Sequence, residues 1–235
     1  MQILVVAAHP DDELLGCGGA VASLTMAGHS AIALILGEGG TSRRAAAGKS
    51  GVVSALAQCA RDGAAVLGAE PPLFGSLPDQ RFDEVALLNI VHRIEDVKQE
   101  LNPDLVLTHH GNDLNNDHRV THRAVLAACR PLPDEKLRGV FTFETVSSTE
   151  WGPLSQGQPF RPQIYVDITA TLERKLKSLA CYPGEMRPFP HPRSLEAVSA
   201  LAKRRGSEVG IGAAEAFEVV WARGGVVSAS GFFGL

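Results

Sequence analysis

The chain opens on an apolar run, Ile3 to Ala8, that gives way at once to the polar cluster His9 to Glu13. A short run without alternation is the pattern of a strand buried on both faces. Leu14 to Ala27 reads as a helix with small residues where it must pack closely, and Gly28 as its C-cap. Ala31 to Leu36 repeats the buried-strand pattern. Strand, helix and strand in this order form a βαβ unit and predict a parallel sheet.

The alternation continues. Gly37 to Ser50 is a Gly-, Ser- and Arg-rich loop, Val53 to Leu67 a helix closed by Gly68, and Pro72 to Leu77 a short strand ending in the turn Pro78-Asp79-Gln80. Leu87, Leu88, Val91, Ile94 and Val97 fall at helical spacing within Glu84 to Glu100. Asn102-Pro103 stops that helix before a buried strand, Asp104 to Thr108. A polar loop from His109 to His118 precedes a helix from Arg119 to Cys129. Strands are expected near Val140 to Phe143, Ile164 to Val166 and Phe217 to Trp221, and helices over Thr171 to Leu179 and Leu195 to Gly206.

The pattern predicts an α/β fold with a Rossmann-like, mainly parallel sheet, helices on both faces and a smaller C-terminal β-containing part. We expect one domain over 1–235, with a Rossmann-like part at 1–130, a C-terminal part at 131–223 and a loosely held Gly/Ser-rich tail at 224–235. Phe232 and Phe233 of that tail could dock on a neighbour.

Composition narrows the function classes. A chain of 235 residues buries roughly 70% of its unfolded surface and needs no structural metal or disulfide, so any metal it binds is free to be catalytic. The net charge of −4, with no Lys/Arg run, points away from nucleic acid and anionic membranes. Cys17, Cys59, Cys129 and Cys181 are scattered without a C-x-x-C pair and read as free thiols of a reducing compartment. The first apolar run has no basic leader and is too short for a signal core or membrane span. A cytoplasmic protein without stable membrane insertion is expected.

Two polar clusters fall where ligands bind in open α/β sheets, beyond the carboxyl ends of strands. The first is Ala8-His-Pro-Asp-Asp-Glu13 and the second His109-His-Gly-Asn-Asp-Leu-Asn-Asn-Asp-His118. Catalytic zinc takes three protein ligands and leaves one position for water, whose pKa falls from 15.7 to about 7. His9 and Asp12, three apart at a strand-to-helix turn, can converge on one point, and His118 supplies a remote third ligand. Asp11 beside them suits a general base. Asp11 and Asp12 could instead cap the following helix, but three carboxylates behind a His-Pro exceed what capping needs. His109 and His110 sit at the rim, where one could orient a metal ligand and the other be structural. His122, one turn beyond His118, could touch the site or face solvent, whereas His29 and His92 read as surface residues.

The motif Ala8-His-Pro-Asp-Asp-Glu13 together with Asp113-Leu-Asn-x-Asp-His-Arg119 resembles the PIG-L/LmbE-like deacetylases, zinc-dependent de-N-acetylases of N-acetylglucosamine derivatives. The segments Leu77 to Asp83, Glu144 to Trp151, Pro190 to Ser194 and Ala214 to Phe217 extend the likeness along most of the chain. The resemblance implies Zn2+ held by His9, Asp12 and His118, Asp11 as base, Asp117 orienting a ligand, and a small-molecule amino-sugar substrate. Relatives of this kind often form closed rings, so a homo-oligomer is an open expectation.

The resemblance also marks a departure. Where family members often carry His-Pro-Asp-His, this chain has Asn115-Asn-Asp-His118, which replaces an oxyanion-stabilising His by Asn115. His191 could supply the missing imidazole, or simply occupy a turn between two prolines. Arg43, Arg44, Arg193 and Ser194 are candidates for holding substrate hydroxyls or a phosphate, and Glu144 and Glu150 are candidate rim residues. Two other readings compete. One is a zinc amidase of another amide, such as a thiol conjugate. The other is a non-catalytic nucleotide-binding domain built on Gly16-Cys-Gly-Gly19, which is not G-x-G-x-x-G and lies too far into the helix.

Overall fold

The computed structural model describes residues 1–41, 50–155 and 157–223. Arg43 and Arg44, expected near substrate, and the tail from 224 lie outside these residues. The elements follow in the order β1 (Gln2–Ala7), α1 (Asp12–Met26), β2 (Ser30–Gly37), α2 (Ser50–Leu67), β3 (Leu73–Leu77), α3 (Leu87–Leu101), β4 (Leu105–His109), α4 (Asn116–Ala128), β5 (Gly139–Phe143), β6 (Ile164–Asp167), α5 (Leu172–Ala180), α6 (Leu195–Ser207) and β7 (Ala214–Ala222).

One seven-stranded sheet runs in the order β3-β2-β1-β4-β5-β7-β6. The first five strands pair in parallel, and β7 enters antiparallel between β5 and β6. The sheet begun by the first four strands therefore continues through the C-terminal part. Both predicted features, the mainly parallel sheet and the β-containing extension, are present.

The unbroken apolar strands follow from burial on two sides. Ile3 and Val5 of β1 join the core beneath α1, α2, α5 and α6, with Leu14, Ala60, Leu179 and Val198. Their neighbours Leu4 and Val6 enter a second core with Ile90 and Ile94 of α3 and Val120 and Val125 of α4. Such side chains contribute about 1.5–3 kcal/mol each on full burial. Gly16 permits a close contact, since a Cβ there would collide with the Phe143 ring. The glycines of α1 serve helix packing here, which takes away the motif on which a nucleotide-binding reading rested.

Two of the boundaries that differ from the sequence expectation bear on the site. Phe82–Glu84 forms a single 3-10 turn, and extended Val85 delays α3 to Leu87. Helix α4 starts at Asn116 rather than Arg119, because the Asn115 side chain accepts the Asp117 N–H as an N-cap. His118 is thereby fixed on the first turn of a helix instead of hanging from a loop. No helix among the described residues is long and apolar enough to cross a membrane.

Candidate metal centre and active site

The order reverses between β1 and β4, the position at which open α/β sheets bind ligands. His9 to Asp11 leave the end of β1 and the His110 to Asn115 loop leaves the end of β4, so both clusters meet there. The turn after β1 is held in an uncommon conformation: Asp11, the N-cap of α1, has φ 106°. A non-glycine residue at such a φ is strained and persists where its surroundings over-determine it. Across the turn, Gly39 has φ +67°, and a Cβ on it would lie 2.7 Å from Pro10 Cδ. Glycine thus lets the loop after β2 close down on the turn.

His9, Asp12 and His118 bring one donor atom each to within 4.8 Å of one another. Asp12 Oδ2 lies 3.4 Å from His9 Nδ1 and 3.2 Å from His118 Nε2, and also accepts the His9 N–H. Asp12 Oδ1 and His118 Nε2 are buried without a hydrogen-bond partner among the described residues. Burial disfavours both imidazolium ions. Asp117 and Asp12 nevertheless raise the His9 pKa to about 10, and Asp12 and Asp113 raise that of His118 to about 9. Burial resists the Asp12 charge, yet the imidazoles, His118 foremost, hold its pKa well below the usual carboxylate range. Converging donors, orphaned buried atoms and a surplus of carboxylate together fit a divalent cation.

Each imidazole has a carboxylate behind it. His9 Nε2 lies 3.0 Å from Asp117 Oδ2 and 3.3 Å from Asp79 Oδ1. Asp117 also accepts the N–H groups of Gln80 and Phe82, tying the turn after β3 to the first turn of α4. His118 Nδ1 lies 3.2 Å from Asp113 Oδ1. Asp113 is held by the Asn115 N–H, the Ser148 hydroxyl and the Thr149 hydroxyl. Asp113 and Asp79 were not singled out as site residues from sequence. From sequence, Asp117 alone is the carboxylate expected to orient a ligand; the start of α4 sets Asp117 behind His9 and leaves Asp113 behind His118.

The two rim histidines part company. His109 stacks on His118 with ring centroids 3.9 Å apart, and its Nε2 accepts the Ala8 N–H. Burial first, then the charge of His118, hold its pKa down at about 3, so it is a neutral wall against the His118 ring. His110 turns elsewhere, pairing with Glu218 at 2.6 Å and with the Gln158 carbonyl at 3.1 Å. His122 Nδ1 contacts the His109 carbonyl at 2.9 Å.

Beside the donors lies a cavity of about 130 Å³, whose wall includes His9, Asp11, Asp79, Asn115, Glu185 and Arg193. Arg193 Nη1 donates to Asp11 Oδ2 at 2.7 Å, Nε donates to Ser147 Oγ, and Glu185 lies 3.6 Å away. The residue expected to hold substrate therefore holds Asp11. Burial raises the Asp11 pKa to about 7 against the opposing pull of Arg193. Beneath it, buried Glu13 accepts the Asp11 N–H and the Tyr182 hydroxyl, and burial raises its pKa to about 8.

Asn115 lines the cavity with its Oδ1 committed to the helix cap. His191 is not among the residues lining it; its Nδ1 accepts the Arg193 N–H in the turn before α6. Ser194, expected at substrate, is 3% exposed and caps α6 through its side-chain oxygen. Glu144 pairs with Arg205 at 2.7 Å, and Glu150 accepts the N–H groups of Ser147 and Ser148.

Comparison with known proteins bears on the fold and the family. YaiS of Escherichia coli K12, described as an uncharacterised deacetylase, is 28% identical over 171 residues, spanning 71% of this chain and 81% of YaiS. The structure of GalB, the 4-carboxy-2-hydroxymuconate hydratase of Pseudomonas putida KT2440, matches with TM-score 0.76 and 25% identity over 94% of this chain and 97% of GalB. The N,N′-diacetylchitobiose deacetylase of Pyrococcus horikoshii matches with TM-score 0.74 over 93% of this chain and 83% of its own, and at 19% identity it shares the fold. The family model described as PIG-L, GlcNAc-PI de-N-acetylase, matches residues 4–129, the span holding His9, Asp11, Asp12 and His118. The chain belongs to the PIG-L family.

Proposed function

We propose that the chain is a zinc-dependent de-N-acetylase that hydrolyses the acetamide of an N-acetylated amino sugar of the N-acetylglucosamine type, free or as a conjugate. The observation that carries this reading is a buried carboxylate, Asp11, on the cavity wall immediately beside three converging donors. His9, Asp12 and His118 would hold the ion, which when bound lowers the pKa of water and polarises the amide carbonyl.

The protein's own groups carry the proton. Asp11 takes a proton from the attacking water as the new C–O bond forms, then delivers it to the sugar nitrogen as the C–N bond breaks. Acetate and the free amine result. Arg193 keeps the Asp11 oxygen aimed, and the Asn115 amide, its oxygen tied to the cap, offers N–H donors to the carbonyl oxygen as it gains charge.

Hydration of an unsaturated polycarboxylate is the second reading, favoured by the match to GalB. Among the described residues, the cavity wall carries Asp11, Asp79 and Glu185 against Arg193, itself paired with Asp11, and His9, whose imidazole would be neutral when holding the ion. That balance suits a neutral polyhydroxylated substrate better than several carboxylates. Acetate release from N-acetylglucosamine and its conjugates, set beside other amides (thiol conjugates included) and an unsaturated dicarboxylate, separates the readings. Metal analysis and chelator sensitivity complete the test, and a protein indifferent to chelator would overturn both hydrolase readings.

A further inference from the structure

Helix α1 is broken in the middle. Cys17 has φ −144° and ψ 17°, outside the helical range, within the glycine-rich stretch Gly16-Cys17-Gly18-Gly19. In an unbroken helix the N–H groups of Gly19 and Ala20 would donate to the carbonyls four residues back, at Leu15 and Gly16. Here they donate to the two carboxylate oxygens of Glu215, at 2.9 and 2.7 Å. The Leu15 carbonyl accepts from Lys175 Nζ at 2.7 Å, and Lys175 and Glu215 pair at 2.5 Å.

Both charges are almost wholly buried, Lys175 at 4% exposed and Glu215 at 5%. Burying an ion pair is expensive in desolvation, and a straight α1 would satisfy the same backbone groups with no side chains at all. The break instead frees the first turn, Asp12 to Gly16, to point differently from the remainder of the helix. That turn carries Asp12 and follows directly on Asp11. Neither Lys175, from α5, nor Glu215, from β7, lines the cavity.

We infer that Lys175 and Glu215 are positioning residues for the metal centre: they hold α1 in its broken form and thereby set the aim of Asp11 and Asp12. The inference rests on the proposed metal-dependent function and extends it to the C-terminal half of the chain, beyond the span that the family model matches.

The test reads metal binding rather than turnover. Zn2+ affinity by chelator competition and the visible spectrum of the Co2+-loaded protein are compared between wild type and the double variant Lys175→Met/Glu215→Leu. The expected result is a folded protein with Zn2+ binding weakened roughly 10- to 100-fold, as for other residues supporting metal ligands, and an altered Co2+ spectrum. Glu215→Gln retains one acceptor oxygen and should show a smaller change of the same kind; should the double variant fail to fold, this variant decides. Val140→Ala, whose side chain lies in the core on the opposite face of the sheet from α1, serves as the control for general destabilisation and should keep the wild-type spectrum. A folded variant with wild-type affinity and spectrum overturns the inference alone. Wild-type protein that binds neither ion overturns the proposed function, and this inference with it.

Discussion

Arg193 Nη1 reaches Asp11 Oδ2 at 2.7 Å across 182 positions of sequence. Through this contact the turn before α6 controls a carboxylate that the N-terminal motif supplies. A second donor of the same guanidinium, Nε on Ser147 Oγ, fixes its orientation, so the fork geometry matters as well as the charge.

Arg193→Ala is accordingly expected to lower kcat by on the order of 10²-fold, the scale of a catalytic group misplaced by an ångström, with Zn2+ content unchanged. Arg193→Lys restores the charge without the fork and should recover only part of the loss. Steady-state kinetics with metal analysis check both, and a lysine variant as active as wild type would show that charge alone suffices.

Asn115, which stands where the resemblance implies a histidine, yields a second prediction. Asp is as good an N-cap as Asn, so Asn115→Asp keeps α4 in place while removing the amide N–H donors from the cavity wall. Turnover should drop about 10²- to 10³-fold, the range for loss of one oxyanion donor, with the melting temperature nearly unchanged. His191→Ala, whose ring meets the Arg193 N–H, should cost less than about tenfold. The reverse ranking, with Zn2+ content unchanged in both variants, would assign the oxyanion role to His191.

Much of this was legible in the sequence, for identifiable reasons. Strands buried on both faces have no alternation to misread, so Ile3 to Ala8 and Asp104 to Thr108 locate β1 and β4 to within a residue. Once those ends are known, His9 and Asp12 fall directly after β1 and His118 in the segment after β4. What sequence does not encode locally is pairing at a distance. Arg193 and Ser194 looked like substrate contacts because nothing near them in the chain shows that one would meet Asp11 and the other would cap α6. The same holds for Lys175 and Glu215, which are ordinary helix and strand residues until the break at Cys17 brings them together.

His110 and Glu218 give a pH dependence outside the metal cluster. Burial opposes the His110 charge, but the Glu218 carboxylate outweighs it and lifts the pKa above 6.5. Burial likewise opposes the Glu218 charge, and His110 with the Arg161 N–H carries its pKa below 4.5. A raised histidine stabilises the fold fully below 6.5 and loses that contribution as pH rises through its folded value. A lowered glutamate contributes above 4.5 and loses it as pH falls through its folded value. The pair is therefore strongest between about 4.5 and 6.5. In thermal melts, the stability difference between wild type and His110→Asn should be largest near pH 6 and shrink toward pH 9. A difference constant across that range would show that the pair is held by shape rather than charge.

Asp113 offers the most direct test of how the proposed metal ligands are held. Its two oxygens take the Asn115 N–H and the hydroxyls of Ser148 and Thr149, and Oδ1 also faces His118 Nδ1. Burial would raise its pKa, but His118 and Ser148 bring it down to about 2, so it is a fixed anion behind the His118 ring. Such an anion makes the far nitrogen of an imidazole a better donor and fixes the ring's tautomer. Asp113→Asn removes the charge while leaving a side chain of the same shape. Zn2+ affinity is expected to fall roughly 10- to 100-fold, the usual effect of losing a carboxylate behind a histidine ligand. Asp117→Asn should act in the same direction through His9, and because Asp117 also anchors Gln80 and Phe82, it should lower the melting temperature too. Chelator competition and thermal melts on the two variants separate the effects. If Asp113→Asn binds Zn2+ as tightly as wild type, His118 owes its orientation to the stacked His109 ring and its position on α4, not to the carboxylate behind it.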